Sequence, residues 1–118
     1  MATQRNSSKK TSYKKDKKIT ILKITSEQDD LGFPIEKTEP LPGGENIWAY
    51  YRHATGNEFY GAATTNFKVE VVFKIAWRDD IRPLGFKILF RGKEYGITRI
   101  DDYEGYKQDL TIYAYAIN

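Results

Sequence analysis

The 118-residue chain is sized for one domain, and its 40% hydrophobic content, with nine Tyr, six Phe and two Trp against one Met, favours strands over a helical bundle. It contains no Cys, which excludes disulfides, thiolate metal sites and thiol redox chemistry, and which suits a reducing, intracellular compartment. The net charge of +3 is uneven: residues 1–18 carry seven Lys and Arg against Asp16, a balance of +6, which leaves −3 on residues 19–118. A basic folded surface for nucleic acid is therefore not expected. Neither a signal-peptide pattern nor a run of about 20 apolar residues is present, so the expectation is a soluble protein outside the usual export route.

Residues 1–18 hold Ser7, Ser8 and Ser12 among six Lys and Arg5, with no apolar periodicity. They bury too little to offset the entropy of ordering, and are expected to be a disordered basic tail ahead of a domain over 19–118. Lys9, Lys10, Lys14, Lys15, Lys17 and Lys18 are candidates for contact with phosphate or an acidic partner; the plainer reading is a solubilising leader. From Ile19 the run Ile19-Thr20-Ile21-Leu22-Lys23-Ile24 is strand-like and ends at Asp29-Asp30-Leu31-Gly32, which is turn chemistry. Phe33 to Thr38 continues extended, but Pro34 lacks an amide donor, which confines it to an edge or a strand start. Pro40-Leu41-Pro42-Gly43-Gly44 breaks the chain.

Glu45 to Ala54 places large groups on both parities (Ile47, Trp48, Ala49, Tyr50, Tyr51), the mark of a strand covered on both faces, and is the second strand. Thr55, Gly56, Asn57, Glu58, Phe59, Tyr60, Gly61, Ala62, Ala63, Thr64, Thr65 and Asn66 fit neither period and are expected to form a long loop between strands two and three. In the third strand Phe67, Val69, Val71, Phe73, Ile75 and Trp77 share one parity, which makes it the centre of the core. After Asp79 to Gly85, Phe86–Arg91 and Glu94–Ile100 form a hairpin about Gly92-Lys93, expected to be a type II′ turn. Pairing Arg91 with Glu94 then sets Phe90 opposite Tyr95 and Ile88 opposite Ile97. The apolar phase slips before Ile100, which predicts a bulge near Thr98-Arg99. A turn through Asp101 to Tyr106 leads into Leu110–Ile117, again alternating. About six strands result, and the fold class is all-β: a small closed or partly open antiparallel barrel.

The chain offers little for catalysis. Its one His is His53, and Ser7, Ser8, Ser12 and Ser26 all lie in or near the front of the chain, so no nucleophile, base and orienting group are in place. His53 reads as a surface or half-buried strand side chain. Asp29-Asp30, Asp79-Asp80 and Asp101-Asp102 recur at turns, where Asp accepts bonds from its own backbone, and none belongs to a cation-binding loop pattern. Neither a metal nor a cofactor is expected, and the chain is not read as an enzyme. Trp48, Tyr50, Tyr51, Phe59, Tyr60, Tyr113 and Tyr115 admit two readings, core and assembly packing or a stacking platform for single-stranded nucleic acid. The acidic fold favours the first, and binding of single-stranded nucleic acid is the alternative function.

Three features together carry a resemblance: Ile19-Thr20-Ile21-Leu22-Lys23 with Asp30-Leu31-Gly32; Ile47-Trp48-Ala49-Tyr50; and Phe73-Lys74-Ile75-Ala76-Trp77-Arg78-Asp79-Asp80-Ile81-Arg82-Pro83. The stretch Phe86 to Asp101, with Gly92, Tyr95 and Ile97, completes it. Over about residues 18–118 the chain resembles the head–tail joining (head-closure or stopper) proteins of tailed bacteriophages and prophages, with two departures: a longer basic leader, and Gly96 where the pattern often has an acidic residue. The resemblance implies a barrel that assembles as a twelvefold ring of itself, below the portal and its adaptor and above the tail proteins. It would be a virion component, put together in the host cytoplasm, past which packaged double-stranded DNA moves. It further implies that the loop Thr55 to Asn66 projects toward the ring axis and helps close the channel. Gly56 and Gly61 suit hinges there, and acidic walls suit passage of DNA.

Overall fold

The computed structural model of the chain describes residues 14–63, 68–102 and 108–117, with the side chains of 60–63 left aside. The elements run β1 (Lys17–Gln28), β2 (Pro34–Pro40), β3 (Ile47–His53), α1 (Gly56–Ala63), β4 (Val71–Ala76), β5 (Phe86–Phe90), β6 (Lys93–Asp102) and β7 (Asp109–Ala116). All pairings are antiparallel. Six strands close a barrel in the order β1-β3-β4-β7-β6-β5, with β5 returning to β1, and β2 is an added strand outside it. The expected all-β barrel is therefore closed.

Strand β1 makes closure possible because its 12 residues serve three partners in succession. Lys17–Ile19 pair with β3, Thr20–Lys23 with β5, and Leu22–Gln28 with β2. Its apolar residues follow that division: Ile19, Ile21 and Leu22 are buried where the strand is in the barrel wall, and Ser26–Gln28 are exposed where it leaves it. The strand starts at Lys17, so Lys17 and Lys18, expected in a disordered tail, are paired with Ala49 and Trp48. Lys14 to Asp16 are described as well, with Lys15 bonded to Asp109 at 2.6 Å, while residues 1–13, Lys9 and Lys10 included, lie outside the described residues.

The ribbon β1–β2 turns at Asp29–Phe33, where Asp29 Oδ1 accepts bonds from the Leu31 and Phe33 amides, both at 2.9 Å, and Gly32 takes φ 84°. A carboxylate that replaces a backbone acceptor and a glycine at positive φ are what a tight turn requires. Strand β2 is exposed throughout and pairs only with β1, with Pro34 at its start and Pro40 at its end, as expected of an edge. Leu41 then folds back: its amide donates to the Ile21 carbonyl, the Ile21 amide to the Gly44 carbonyl, and its side chain joins the core.

The core holds Phe73, Ile19, Ile21, Ile75, Ile88 and Ile112 with essentially no exposure. Of the stripe expected around the third strand, Val69, Val71, Phe73 and Ile75 are buried, and Trp77 is half-buried against the core. Phe67 lies outside the described residues. Phe73 and Phe90 meet edge-on at 5.5 Å, Phe73 and Tyr95 at 5.6 Å, and Tyr51 lies over Phe90 at 4.7 Å. Val72 is also fully buried although its parity points outward; it sits in register between Arg52 of β3 and Tyr113 of β7. Arg99 covers Tyr113 in turn, at 4.0 Å from the ring, so this outer row is packed.

The hairpin corrects one expectation. Phe90 pairs with Lys93, Ile88 with Tyr95 and Lys87 with Gly96, two places away from the expected partners. The turn is Arg91-Gly92, with φ 53° and 78°, and two consecutive positive φ values make it type I′, not type II′. A slip of two leaves every side chain on its original face, so Ile88, Phe90, Tyr95 and Ile97 are buried all the same. Glu94 is bonded not by Arg91 but by Lys87, at 3.0 Å. The expected bulge is present: Ile97 pairs with Ala114 and Arg99 with Tyr113, leaving Thr98 as the extra residue, its hydroxyl donating to the Lys68 carbonyl.

Candidate assembly site

A barrel with a filled interior acts through its exterior, and three parts of the exterior stand apart from the wall. The first is the tip of the β1–β2 arm, where Leu31, Phe33 and Ile35 are 80%, 63% and 48% exposed. Large apolar groups clustered at an exposed tip are the composition of a contact surface. Between Ile24 and Pro40 the arm carries Glu27, Asp29, Asp30, Glu36 and Glu39 against Lys37, a balance of −4.

The second is the β3–β4 connection. Its first residues were expected to be irregular, and Gly56–Ala63 instead form the helix α1, with Gly56 and Gly61 inside it and not flanking a loop. Thr55 and Glu58 explain this. The Thr55 hydroxyl accepts from the Glu58 amide at 3.2 Å, and Glu58 Oε1 accepts from the Thr55 amide at 2.9 Å, a reciprocal cap on an eight-residue helix. The Thr-x-x-Glu spacing was visible in the sequence and is the signal that reveals this helix. Glu58 also receives both Arg52 nitrogens, at 2.7 and 2.9 Å, which fastens the first turn of α1 to the outer side of β3. These Arg52 bonds, opposed by partial burial and helped by the Thr55 amide, hold the Glu58 carboxyl at about 2 and raise the Arg52 guanidinium. Phe59 is 44% exposed. Thr64, Thr65 and Asn66 lie outside the described residues, as do the side chains of Tyr60, Gly61, Ala62 and Ala63.

The third is a groove at the start of β1 and β3, lined by Lys15, Ile47, Trp48, Ala76, Trp77 and Arg78. Trp48 is 56% exposed, with Lys18 Nζ 4.6 Å above its ring. Lys15 bonds Asp109 at 2.6 Å, and Arg78 grips Asp80 at 2.6 and 2.7 Å while also donating to the Gly43 carbonyl. The Arg78 bonds hold the Asp80 carboxyl below its ordinary value.

Of the seven aromatics named as a stacking platform, the Tyr60 side chain lies outside the described residues, and four of the others have separate surroundings. Tyr51 packs inward on Phe73 and Phe90, Trp48 borders the groove, Tyr113 lies beneath Arg99, and the Tyr115 ring covers Gly96 from the paired strand. His53 is exposed and meets Tyr51 edge-on at 5.7 Å. The Asp pairs stay at separate turns and strand ends, and among the described residues no three acidic or histidine side chains converge on a cation site.

The described residues form a closed small β-barrel with an apolar-tipped arm and a helix-bearing connection, a fold class that hosts many functions. Comparison with known proteins narrows that class. The family model of the phage head completion protein matches residues 11–116, and the chain belongs to that family. No curated protein matches significantly. The solution structure of protein SF1141 from Shigella flexneri 2a is similar, with a TM-score of 0.67 and 20% identity over 85% of this chain and 90% of that one. At that identity the likeness speaks for the fold. Membership makes this chain a structural component of the virion that takes part in completing the head, in contact with other head and tail proteins. Among the described residues no helix is long and apolar enough to cross a membrane.

Proposed function

We propose that the chain joins head to tail and closes the DNA exit after packaging, as a ring of twelve copies below the portal and its adaptor. The connection over residues 55–66 faces the ring axis. The observation that supports this is the way the connection is held: the barrel fills its own core, and α1 stands outside it, fastened through Arg52, Thr55 and Glu58 at its first turn. An element fastened to the barrel through a few polar side chains at its first turn is suited to rearrange on assembly without disturbing the barrel. The balance of −3 on residues 19–118 supports passage of DNA, since an acidic wall repels phosphate.

The test deletes residues 56–64 and follows both the barrel and the particle. The expected outcome is a chain that keeps its β-type circular dichroism and cooperative melting while filled heads lose their DNA. Heads that remain sealed with the shortened chain in place would refute the channel-closing role.

A further inference from the structure

The arm tip and the Trp48 groove lie at opposite ends of the same strand and are opposite in character. The arm is acidic, −4 between Ile24 and Pro40, and ends in exposed Leu31, Phe33 and Ile35. The groove is floored by Ile47, Trp48, Ala76 and Trp77, and the stretch beside it carries Lys14, Lys15, Lys17 and Lys18 against Asp16, with Lys15 also bonded to Asp109, Arg78 to Asp80 and the Trp77 indole to Asp102. Each side therefore offers the other apolar surface framed by the complementary charge. The two cannot meet within one molecule. From Ile19, beside the groove, to Asp29 at the turn, β1 advances ten residues, roughly 33 Å of strand.

We propose that the β1–β2 arm tip of one copy docks into the Trp48 groove of the next copy, head to tail. This deepens the ring assembly proposed above and rests on it. A contact between two different patches repeats from copy to copy, and it closes into a ring when the rotation per copy permits. Phe33 and Leu31 enter the groove against Trp48, and Asp30 and Glu36 face the lysines of the β1 start. The prolines at both ends of β2 limit indiscriminate pairing along its open edge, so the side chains of the tip choose the partner.

The absence of Cys makes the test direct, because the two introduced thiols are the sole cross-linking targets on this chain and a ladder at multiples of its own mass reports contacts between copies. Particles are assembled with the Phe33→Cys/Trp48→Cys double variant and treated with a short bismaleimide. A second pair, Leu31→Cys with Lys18→Cys, guards against loss of docking through either aromatic. All four positions are exposed, so folding is not at stake. Incorporation of the wild-type chain is read first, by mass spectrometry of purified particles. The expected result is a ladder of cross-linked multimers from both pairs, with only monomer from each single variant. Adding Asp30→Lys and Glu36→Lys should cut the ladder on the order of tenfold. Wild-type chain in the particles with no ladder from either pair overturns the docking and leaves the ring reading intact. Particles that complete their heads without the chain overturn both.

Discussion

Replacing Glu58 by Gln tests how the β3–β4 connection is fastened. The carboxyl is lowered from 4.5 to about 2, first by the Arg52 hydrogen bonds. A displacement of that size corresponds to roughly 3 kcal/mol. The Glu58 and Arg52 side chains keep 22% and 30% of their surface in solvent, and screening reduces the figure to about 1–2 kcal/mol. Because the folded-state value is depressed, the contribution is full above pH 4.5 and is lost as pH falls from there toward 2. Hydrogen exchange of the α1 amides is the assay, read as the ratio of variant to wild-type rates. At pH 7 the ratio should be about 5–30, the equivalent of 1–2 kcal/mol, and it should approach one near pH 2 as the wild-type carboxyl is itself protonated. A ratio near one at pH 7, or one that does not fall with acid, would refute the fastening role of the pair.

Two further outcomes follow from backbone geometry. An added Cβ at Gly96 would stand 2.3 Å from Cζ of Tyr115, so Gly96→Ala must displace that ring, at a cost of about 1–3 kcal/mol in urea unfolding. The cost should largely vanish in a Tyr115→Ala background, and additive losses would contradict the clash. Arg91→Asn places Asn-Gly in the type I′ turn: relief of about 1 kcal/mol from the positive φ, less about 0.5 kcal/mol for the lost contact with the Phe90 ring, gives a gain near 0.5 kcal/mol. It should appear as a higher urea midpoint with an unchanged slope.

Alternation over Val69–Ile75, Ile88–Phe90 and Leu110–Ala114 was enough to assign the buried face of β4, β5 and β7 from the amino acids alone, because a period of two leaves no other way to cover those side chains. The same regularity made the hairpin register ambiguous. A slip of two residues preserves every face, and the choice fell to the positive φ of Arg91 and Gly92. Pro34 marked β2 as an edge, and the break of phase after Ile97 marked the bulge at Thr98, since each is a local constraint on the chain. Helix α1 leaves no trace in the hydrophobic period, which says little over eight residues; its cap, Thr55 with Glu58, is the readable signal.

Other features depended on residues distant in the chain. Division of β1 among three partners, burial of Val72 between Arg52 and Tyr113, and the bond from Arg52 to Glu58 each require strands to be placed side by side first. Local sequence fixes which side of a strand is apolar, because that is a property of neighbouring residues. Which strand lies next to it, and so where the arm and the groove stand relative to each other, is settled only when the barrel closes.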